Sequence, residues 1–293
     1  MDIGRVGLWT FLLDNHRTSR VRELAAQVEE MGWPTLWRPE STGRDAFISS
    51  SVLLDATETL IVATGIAVTY ARHPMTTAAA QKTLAEAYDG RFLLGLGVSH
   101  RTSVEGVRKL DYSTPYSDMV EYLEAMAEAP YTGPEPEEKP LTLLAALGPR
   151  MLKLSAESAD GAHPYFTPVE HTALARELMG PGAILAPEQM VVIDSDTERA
   201  RDTARETMAR YLRLPNYANN LLRLGFTEND IDTMSDRIVD AVVACGDISV
   251  TVDRVRQHHE AGADHVCLQV LTPGNDLEAN IRHWGDLAEA LDL

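Results

Sequence analysis

Short apolar runs rich in β-forming residues alternate along the chain with amphipathic segments of helical period. Eight of these runs are candidate strands by length and composition, at 5–10, 35–38, 61–69, 92–98, 141–146, 162–166, 189–193 and 265–271. The runs at 141–146 and 265–271 are nearly continuous in apolar residues, which is typical of strands covered by helices. The pattern therefore favours parallel strands surrounded by helices.

The segments between the runs predict helices. In the first segment, Leu24, Val28 and Met31 recur at helical spacing, and Gly32 marks the end of the helix. Comparable patterns predict helices at 74–88, 118–129, 197–214, 230–244, 252–261 and 280–291. Strands and helices thus take turns along the chain.

Eight alternating strand–helix units within 293 residues predict an α/β fold. The expected architecture is a (β/α)8 barrel, or TIM barrel, with residues 1–293 in one domain. A doubly wound open sheet is the alternative, but the first strand–helix junction, at 10–14, has no glycine for a phosphate-binding turn. Residues 214–247 lengthen the connection between strands seven and eight and predict an insertion at the active-site rim. An extra packing helix or a dimer contact is the other interpretation.

Composition narrows the range of functions. The chain has 26 basic and 44 acidic side chains and a formal net charge of −18, so we expect neither nucleic acid nor a membrane as a partner. No apolar run reaches the roughly 18 residues that a membrane-spanning helix needs. Cys245 and Cys267 form no CxxC pair and predict no disulfide framework, which is typical of a reducing cytoplasm. The expectation is a cytoplasmic enzyme that acts on a small molecule.

Two glycine-containing turns could bind a ligand. Gly95 and Gly97 end the fourth strand, where glycines let a flat ligand approach the backbone, although a tight strand end without a ligand would look the same. Gly148 and Pro149 follow the fifth strand, beside Arg150. The amides of a helix that begins there could bind a phosphate, and an ordinary strand–helix turn is the alternative.

The histidines offer acid/base chemistry rather than a metal site. His258 and His259 are adjacent on a predicted helix and point in different directions, so we expect no metal ligands there. His73 and His100 follow the third and fourth strands, where barrel side chains face the active site, and both are acid/base candidates. His163, inside the sixth strand, is predicted to be a hydrogen-bonded core residue.

Four blocks of sequence carry a family resemblance by their order and spacing. They are TLWRPE at 35–40, TGIAVTYARHP at 64–74, GRFLLGLGVSH at 90–100, and LGPRML at 147–152 followed by ADG at 159–161. With these blocks the chain resembles the luciferase-like monooxygenase superfamily, and within it the oxidoreductases that depend on the deazaflavin coenzyme F420. The last two blocks are the most specific, and the resemblance covers nearly the whole chain.

The resemblance implies a barrel that holds the flavin-like ring at the carboxyl ends of its strands. It implies a non-prolyl cis peptide behind the ring at Gly65–Ile66, and it places beside the ring Val98, Ser99 and His100. The phosphate-binding turn is implied at Ala146, Leu147, Gly148 and Pro149. Glu40 matches a carboxylate after strand two, although Ser41 stands where many relatives have histidine.

The function implied by the resemblance is hydride transfer between F420 and a small organic substrate. An FMN-dependent monooxygenase and a barrel that binds flavin without turnover are the alternatives. We expect His100 or Glu40 to be the proton donor or acceptor, unless Glu40 is only a charge partner of Arg38 or Arg72. Relatives pair their barrels, so the resemblance also implies a homodimer.

Overall fold

The computed structural model describes residues 1–293 and contains one parallel sheet surrounded by helices. Its strands are β1 (Val6–Trp9), β2 (Thr35–Arg38), β3 (Ile61–Thr64), β4 (Ala67–Val68), β5 (Phe92–Gly97), β6 (Thr142–Leu144), β7 (Gly161–Ala162), β8 (Ile184–Leu185), β9 (Glu188–Ile193), β10 (Val243–Gly246) and β11 (Val266–Val270). Its helices are α1 (Thr18–Glu30), α2 (Ala46–Leu54), α3 (Pro74–Ala87), α4 (Arg101–Ser103), α5 (Pro115–Ala127), α6 (Pro149–Glu157), α7 (Val169–Met179), α8 (Thr197–Tyr211), α9 (Pro215–Arg223), α10 (Glu228–Thr233), α11 (Asp236–Val242), α12 (Ile248–Glu260) and α13 (Leu277–Ala290).

Neighbouring strands of the sheet follow the order β10-β9-β11-β1-β2-β3-β5-β6-β7-β8, and β4 pairs with β5. The stretch that contains β8 and β9 is hydrogen-bonded on both sides. Ala186 N donates to Ala162 O at 2.9 Å on the β7 side, and Cys267 N donates to Pro187 O at 2.9 Å on the β11 side. The chain that joins β8 to β9 therefore lies between β7 and β11, and the sheet is curved.

Two apolar layers follow from the alternation of side chains along each strand. Leu8 and Leu36 face outward and are fully buried in the core between sheet and helices. Trp9 and Trp37, one residue further on, belong to a separate core cluster with Leu93, inside the curve of the sheet. No helix combines the length and the apolar character that crossing a membrane requires.

Several predicted strands are shorter than expected, and the reason is visible in two of them. The run 61–69 forms β3 and β4, with Gly65 and Ile66 between them, because the chain bends there against β5. The run 162–166 contributes only its first residue to β7. Pro164 has no N–H to continue the ladder, and Phe166 takes the left-handed conformation, with φ of 59°.

The helix predicted at 230–244 is confirmed over most of its length, but it is interrupted once and ends two residues early. Met234 has φ of 46° and separates α10 from α11, and the chain then enters β10. β10 pairs in parallel with β9, with Val243 opposite Met190. The apolar run before Gly246 suits a helix or a strand equally well, and the free edge of β9 decides the outcome. The segment predicted as an insertion, 214–247, thus contains α9, α10, α11 and β10.

The glycines of β5 serve packing rather than ligand access. A Cβ atom on Gly95 would lie 1.8 Å from the carbonyl oxygen of Thr64, and one on Gly97 would lie 2.8 Å from the side chain of Ile66. Thr64 also forms two hydrogen bonds with β5: its hydroxyl donates to Gly95 O at 2.7 Å and accepts from Gly95 N at 2.9 Å. The structure thus favours the tight strand end over the open ligand approach at these two residues.

We expect Gly95→Ala to lower the free energy of unfolding by about 3 kcal/mol or more, because the new methyl group would meet backbone rather than a movable side chain. Urea denaturation measures the change. Gly182→Ala is the matched control, because no atom lies within 4 Å of its Cβ position. A similar, small loss in both variants would contradict the close contact between β5 and Thr64.

Candidate active site

The candidate site lies where the parallel strands reach their carboxyl ends. Gly65 N donates to Arg38 O at 2.7 Å, and Glu40 N donates to Ile66 O at 3.1 Å, so the connections after β2 and β3 are tied together. On the next strand pair, Ala145 N donates to Leu96 O at 2.8 Å. The fold therefore brings to one edge the four sequence segments that were predicted to form the site.

The corner after β3 is formed by Gly65 and Ile66, whose peptide bond is cis, as the resemblance predicted. A Cβ atom on Gly65 would lie 2.6 Å from Nε1 of Trp9 and 3.0 Å from Nε2 of His163, so only glycine fits. Both of these nitrogen atoms are buried and have no hydrogen-bond partner. The Ile66 side chain lies against β5 at Gly97. The corner is thus held between the interior aromatic residues and the neighbouring strand.

The turn after β5 presents His100. Ser99 is left-handed, with φ of 59°, and its carbonyl accepts from the Tyr112 hydroxyl at 2.9 Å. Nδ1 of His100 lies 3.2 Å from Oδ1 of Asn216, and its ring centroid lies 5.4 Å from that of Tyr217. Because the amide oxygen accepts, Nδ1 carries the proton and Nε2 is left as an acceptor. Burial lowers the pKa of His100 despite the bond to Asn216, so the ring is neutral at pH 7.

Asn216 and Tyr217 belong to α9, inside the segment predicted as an insertion. The sequence predicted this segment at the active-site rim, but no role for either side chain could be read from it. The pairing with His100 joins residues 116 positions apart and depends on how α9 lies over the sheet edge.

Gly148 is the N-cap of α6 and supplies no side chain to satisfy the first amides of the helix. No atom lies within 4 Å of the position that a Cβ atom on Gly148 would take, so a side chain would fit there. The carbonyl of the preceding Leu147 accepts a hydrogen bond from Nε2 of His171, on α7, at 2.9 Å, and this bond fixes the position of the turn. Arg150 is engaged elsewhere, since its guanidinium lies 3.9 Å from the ring centroid of Tyr116. The first amides of α6, which we call the open amides because no side chain caps them, are therefore the feature of this turn that suits an anion.

Glu40 is held in an ion pair. Its carboxylate accepts from Val68 N at 2.7 Å and from both terminal nitrogens of Arg72, with Nη1 at 2.9 Å. The Glu40 side chain is 5% exposed, and Arg72 also contacts Asp45 at 2.8 Å. Burial alone would lower the pKa of Arg72, but the bonds to the two carboxylates hold it above its ordinary value. The geometry favours the charge-partner interpretation, with Arg72 as the partner.

Arg38 has another partner, Asp14, at 2.8 Å, so it does not pair with Glu40. His73, the other acid/base candidate, caps α3 by accepting from Met75 N at 3.2 Å. His73 thus serves as a helix cap, whereas the ring of His100 contacts Asn216 and Tyr217 of α9 at the site.

His163 is the core residue that the sequence predicted. Nδ1 lies 2.7 Å from Ala186 O, the ring stacks on Trp37 with centroids 4.4 Å apart, and burial lowers its pKa to about 4. No three histidine, cysteine, aspartate or glutamate side chains are grouped so that they could hold a metal ion.

A row of aromatic rings crosses the site and was not found from the sequence. We call it the aromatic wall, and it consists of Trp9, Tyr165, Tyr217 and His100. Successive ring centroids in this order are separated by 5.2, 6.1 and 5.4 Å. The four residues come from four separate parts of the chain, so no local pattern could have indicated the wall.

We expect Glu40→Gln to lower the free energy of unfolding by about 3 kcal/mol, because it leaves the buried Arg72 with Asp45 alone. Adding Arg72→Met should cost less than the sum of the two single changes, with a coupling of about 1–3 kcal/mol in a double-mutant cycle. Glu135→Gln, in an exposed ion pair with Lys82, is the control and should change stability by less than about 1 kcal/mol. Strictly additive effects of Glu40→Gln and Arg72→Met would contradict this pairing.

Comparison with known proteins identifies the family. A Mycobacterium tuberculosis protein named as a coenzyme F420-dependent oxidoreductase is 25% identical over 317 aligned positions, which cover 86% of this chain and 90% of the relative. The solved structure of an F420-dependent secondary alcohol dehydrogenase with an F420–acetone adduct has a TM-score of 0.77 at 16% identity, over 98% of both chains. The oxygenating constituent of 3,6-diketocamphane monooxygenase from Pseudomonas putida, solved with FMN, has a TM-score of 0.70 at 13% identity, over 99% of this chain and 98% of the other.

The sequence model of the luciferase-like monooxygenase family matches residues 6–265, which is most of the chain. Together with the geometry above, this match shows that the protein belongs to the luciferase-like monooxygenase family.

Proposed function

We propose that the protein is an F420-dependent oxidoreductase that transfers hydride between the deazaflavin and a small organic substrate. The observation that carries the proposal is the joint placement of an apolar corner, a neutral histidine and an open helix N-terminus along one sheet edge. The F420-dependent relative named above supports the choice of cofactor.

The residues present fit such a cofactor. The open amides beyond Gly148 are suited to its phosphate, with Ala146, Leu147 and Pro149 forming the rest of the turn. Ile66, next to Gly65, and Val98, next to Ser99, offer apolar surface for one face of the ring system. When bound, the deazaflavin supplies a donor or acceptor of hydride and does not activate oxygen.

In this proposal His100 is the residue that holds or moves a proton. Its Nδ1–H is fixed by Asn216, so Nε2 is the atom that can accept a proton from substrate or donate one back. Glu40 does not take this role, because Arg72 and backbone amides occupy its oxygens. It instead fixes the positions of β4 and the corner after β3.

An FMN-dependent monooxygenase is the second candidate. The structural similarity to the FMN-bound monooxygenase favours it, and the open amides at Gly148 would suit the phosphate of FMN equally well. Oxygen consumption distinguishes the two candidates, and cofactor binding without turnover would indicate a protein that only carries flavin.

We further propose that the curved sheet is a (β/α)8 barrel in which α9, α10, α11 and β10 are an insertion between its last two strands. α9 supports this assignment because it brings Asn216 and Tyr217 to the rim. We also propose a cytoplasmic location, supported by the free thiols of Cys245 and Cys267.

The cofactor prediction is that F420 binds at least about tenfold more tightly than FMN, which corresponds to about 1.4 kcal/mol. Titration of the purified protein with each cofactor measures this. Gly148→Asp should weaken F420 binding at least about tenfold through its charge. Gly182→Asp, at an equally open position, should bind F420 normally. FMN retained through purification, or equal affinities, would contradict the choice of F420.

His100→Asn should lower the turnover number roughly 10²–10⁴-fold while leaving F420 affinity nearly unchanged, because the amide cannot take up a proton. Burial lowers the pKa of His100, so in the reaction direction in which Nε2 accepts a proton, wild-type activity should fall only below about pH 6.5, as the ring becomes charged. A parallel, modest decline of affinity and turnover would instead assign His100 to cofactor positioning. Wild-type turnover in the variant would exclude both roles.

The assembly prediction is a homodimer formed through α2 and α3. Ile48 on α2 is 70% exposed and Met75 on α3 is 46% exposed, and a partner chain packed on these helices would remove both side chains from water. Light scattering at micromolar concentration should give the mass of a dimer, and Ile48→Asp should give a monomer. Val107→Asp, at a position 59% exposed outside these helices, is the control and should stay dimeric. A monomeric wild-type protein would refute the proposal.

A further inference from the structure

Glu188 is a buried carboxyl group without a counter-ion. It is 1% exposed, it begins β9, and no lysine, arginine or histidine nitrogen lies within 4 Å of it. Oε2 accepts from Phe166 N at 3.0 Å, whereas Oε1 has no hydrogen-bond partner. Burial raises the pKa of Glu188 to about 8, and the bond from Phe166 opposes this only in part. The group is therefore an uncharged carboxylic acid at pH 7.

The backbone and the side chain of Glu188 each form a hydrogen bond with the loop after β7. Glu188 N donates to Pro164 O at 2.8 Å, and the carboxyl oxygen takes the Phe166 amide two residues further on. Between these points the chain turns, and Phe166 has φ of 59°, which a bulky residue rarely adopts unless its surroundings enforce it. The two hydrogen bonds of Glu188 hold residues 164–166 in this conformation.

The turn decides where two aromatic side chains lie. Tyr165 contacts Trp9 and donates to Gln269 Oε1 at 2.8 Å, so it faces the interior of the sheet. Phe166 packs on Tyr211 and Tyr217, with ring centroids 5.3 Å from each. The positions of Tyr165 and Tyr217 in the aromatic wall thus depend on the conformation of residues 164–166.

We propose that Glu188 is a positioning residue: its uncharged carboxyl group holds Phe166 in the left-handed conformation and thereby sets the aromatic wall of the active site. The wall acts as a substrate surface only if the proposed function is correct, but the positioning role itself requires no cofactor. Ionisation of Glu188 in alkaline solution places an unpaired charge among aromatic rings and loosens the wall.

The other titratable groups around Glu188 do not change charge in the same range. They come from the loop after β7, from α8 and α9, and from β11: Tyr165, Tyr211, Tyr217 and Cys267. Burial raises the pKa of each of these four above its ordinary value. His163, beside Cys267, has its pKa lowered to about 4. A transition near pH 8 in this region therefore belongs to Glu188.

The sign of the stability effect follows from proton binding. The pKa of Glu188 is about 8 in the folded protein, above its ordinary value of 4.5. Between these values the folded protein retains a proton that the unfolded chain has lost, so stability falls as the pH rises. Glu188→Gln keeps an acceptor for Phe166 N and cannot ionise, so it should remove this part of the pH dependence.

The experiment uses the cofactor-free protein and three variants, Glu188→Gln, Glu188→Ala and Glu135→Gln. Melting temperature and near-ultraviolet circular dichroism, which reports the packing of aromatic rings, are measured between about pH 6 and pH 9. Wild type and the exposed control Glu135→Gln should lose near-ultraviolet signal with a midpoint near pH 8. Glu188→Gln should keep the wild-type spectrum with no transition, and Glu188→Ala should have a reduced signal already at neutral pH.

Three outcomes would overturn the proposal. A transition that persists in Glu188→Gln would show that another group titrates, and an unchanged spectrum in Glu188→Ala would show that Glu188 positions nothing. A wild-type spectrum without a transition would show that the wall does not respond to ionisation. If Glu188→Ala does not fold, the comparison of wild type with Glu188→Gln still decides. Failure of F420 to bind would contradict the proposed function but leave these measurements unaffected.

Discussion

The site depends on the close contact between the corner after β3 and the strand β5. The Thr64 carbonyl lies against the Cα of Gly95, and Ile66 lies against Gly97, so the two segments leave no room for a side chain between them. Beyond this contact, the chain that leaves β3 continues as β4, which pairs with β5. The contact also determines where Ile66 meets the turn that carries His100. Without it, the segments of the site would not share one surface.

Two buried carboxyl groups near the site show how the surroundings determine chemical behaviour. Glu40 contacts Arg72 and two backbone amides, so its charge is paired and its oxygens are occupied. Glu188 accepts a hydrogen bond from one amide and has no cation as a partner, so burial raises its pKa and the carboxyl group stays protonated at pH 7. The same residue type thus serves as one half of an ion pair at Glu40 and as a neutral hydrogen-bonding group at Glu188.

Much of the fold could be predicted because strands and helices of an α/β protein differ in hydrophobic period. Predicted strands at 35–38, 92–98 and 265–271 correspond to β2, β5 and β11. The helix predicted at 230–244 ends two residues early, because Val243 and Ala244 suit a helix or a strand and pairing with β9 decides. The strand predicted at 162–166 was too long, because the chain turns at Phe166, whose left-handed conformation is enforced by the distant Glu188.

The sequence by itself determined which segments reach the site, because in a parallel sheet every strand ends at the same edge. That is why Gly148 and His100 could be placed there in advance, whereas the Gly65–Ile66 pair was placed by the family resemblance. Only the tertiary structure decided what the side chains do. Arg72 forms an ion pair with Glu40, Asn216 orients the ring of His100, and Glu188 stays uncharged. The physical reason is that hydrogen bonding, burial and charge pairing depend on neighbours contributed by distant parts of the chain. No local pattern records those neighbours.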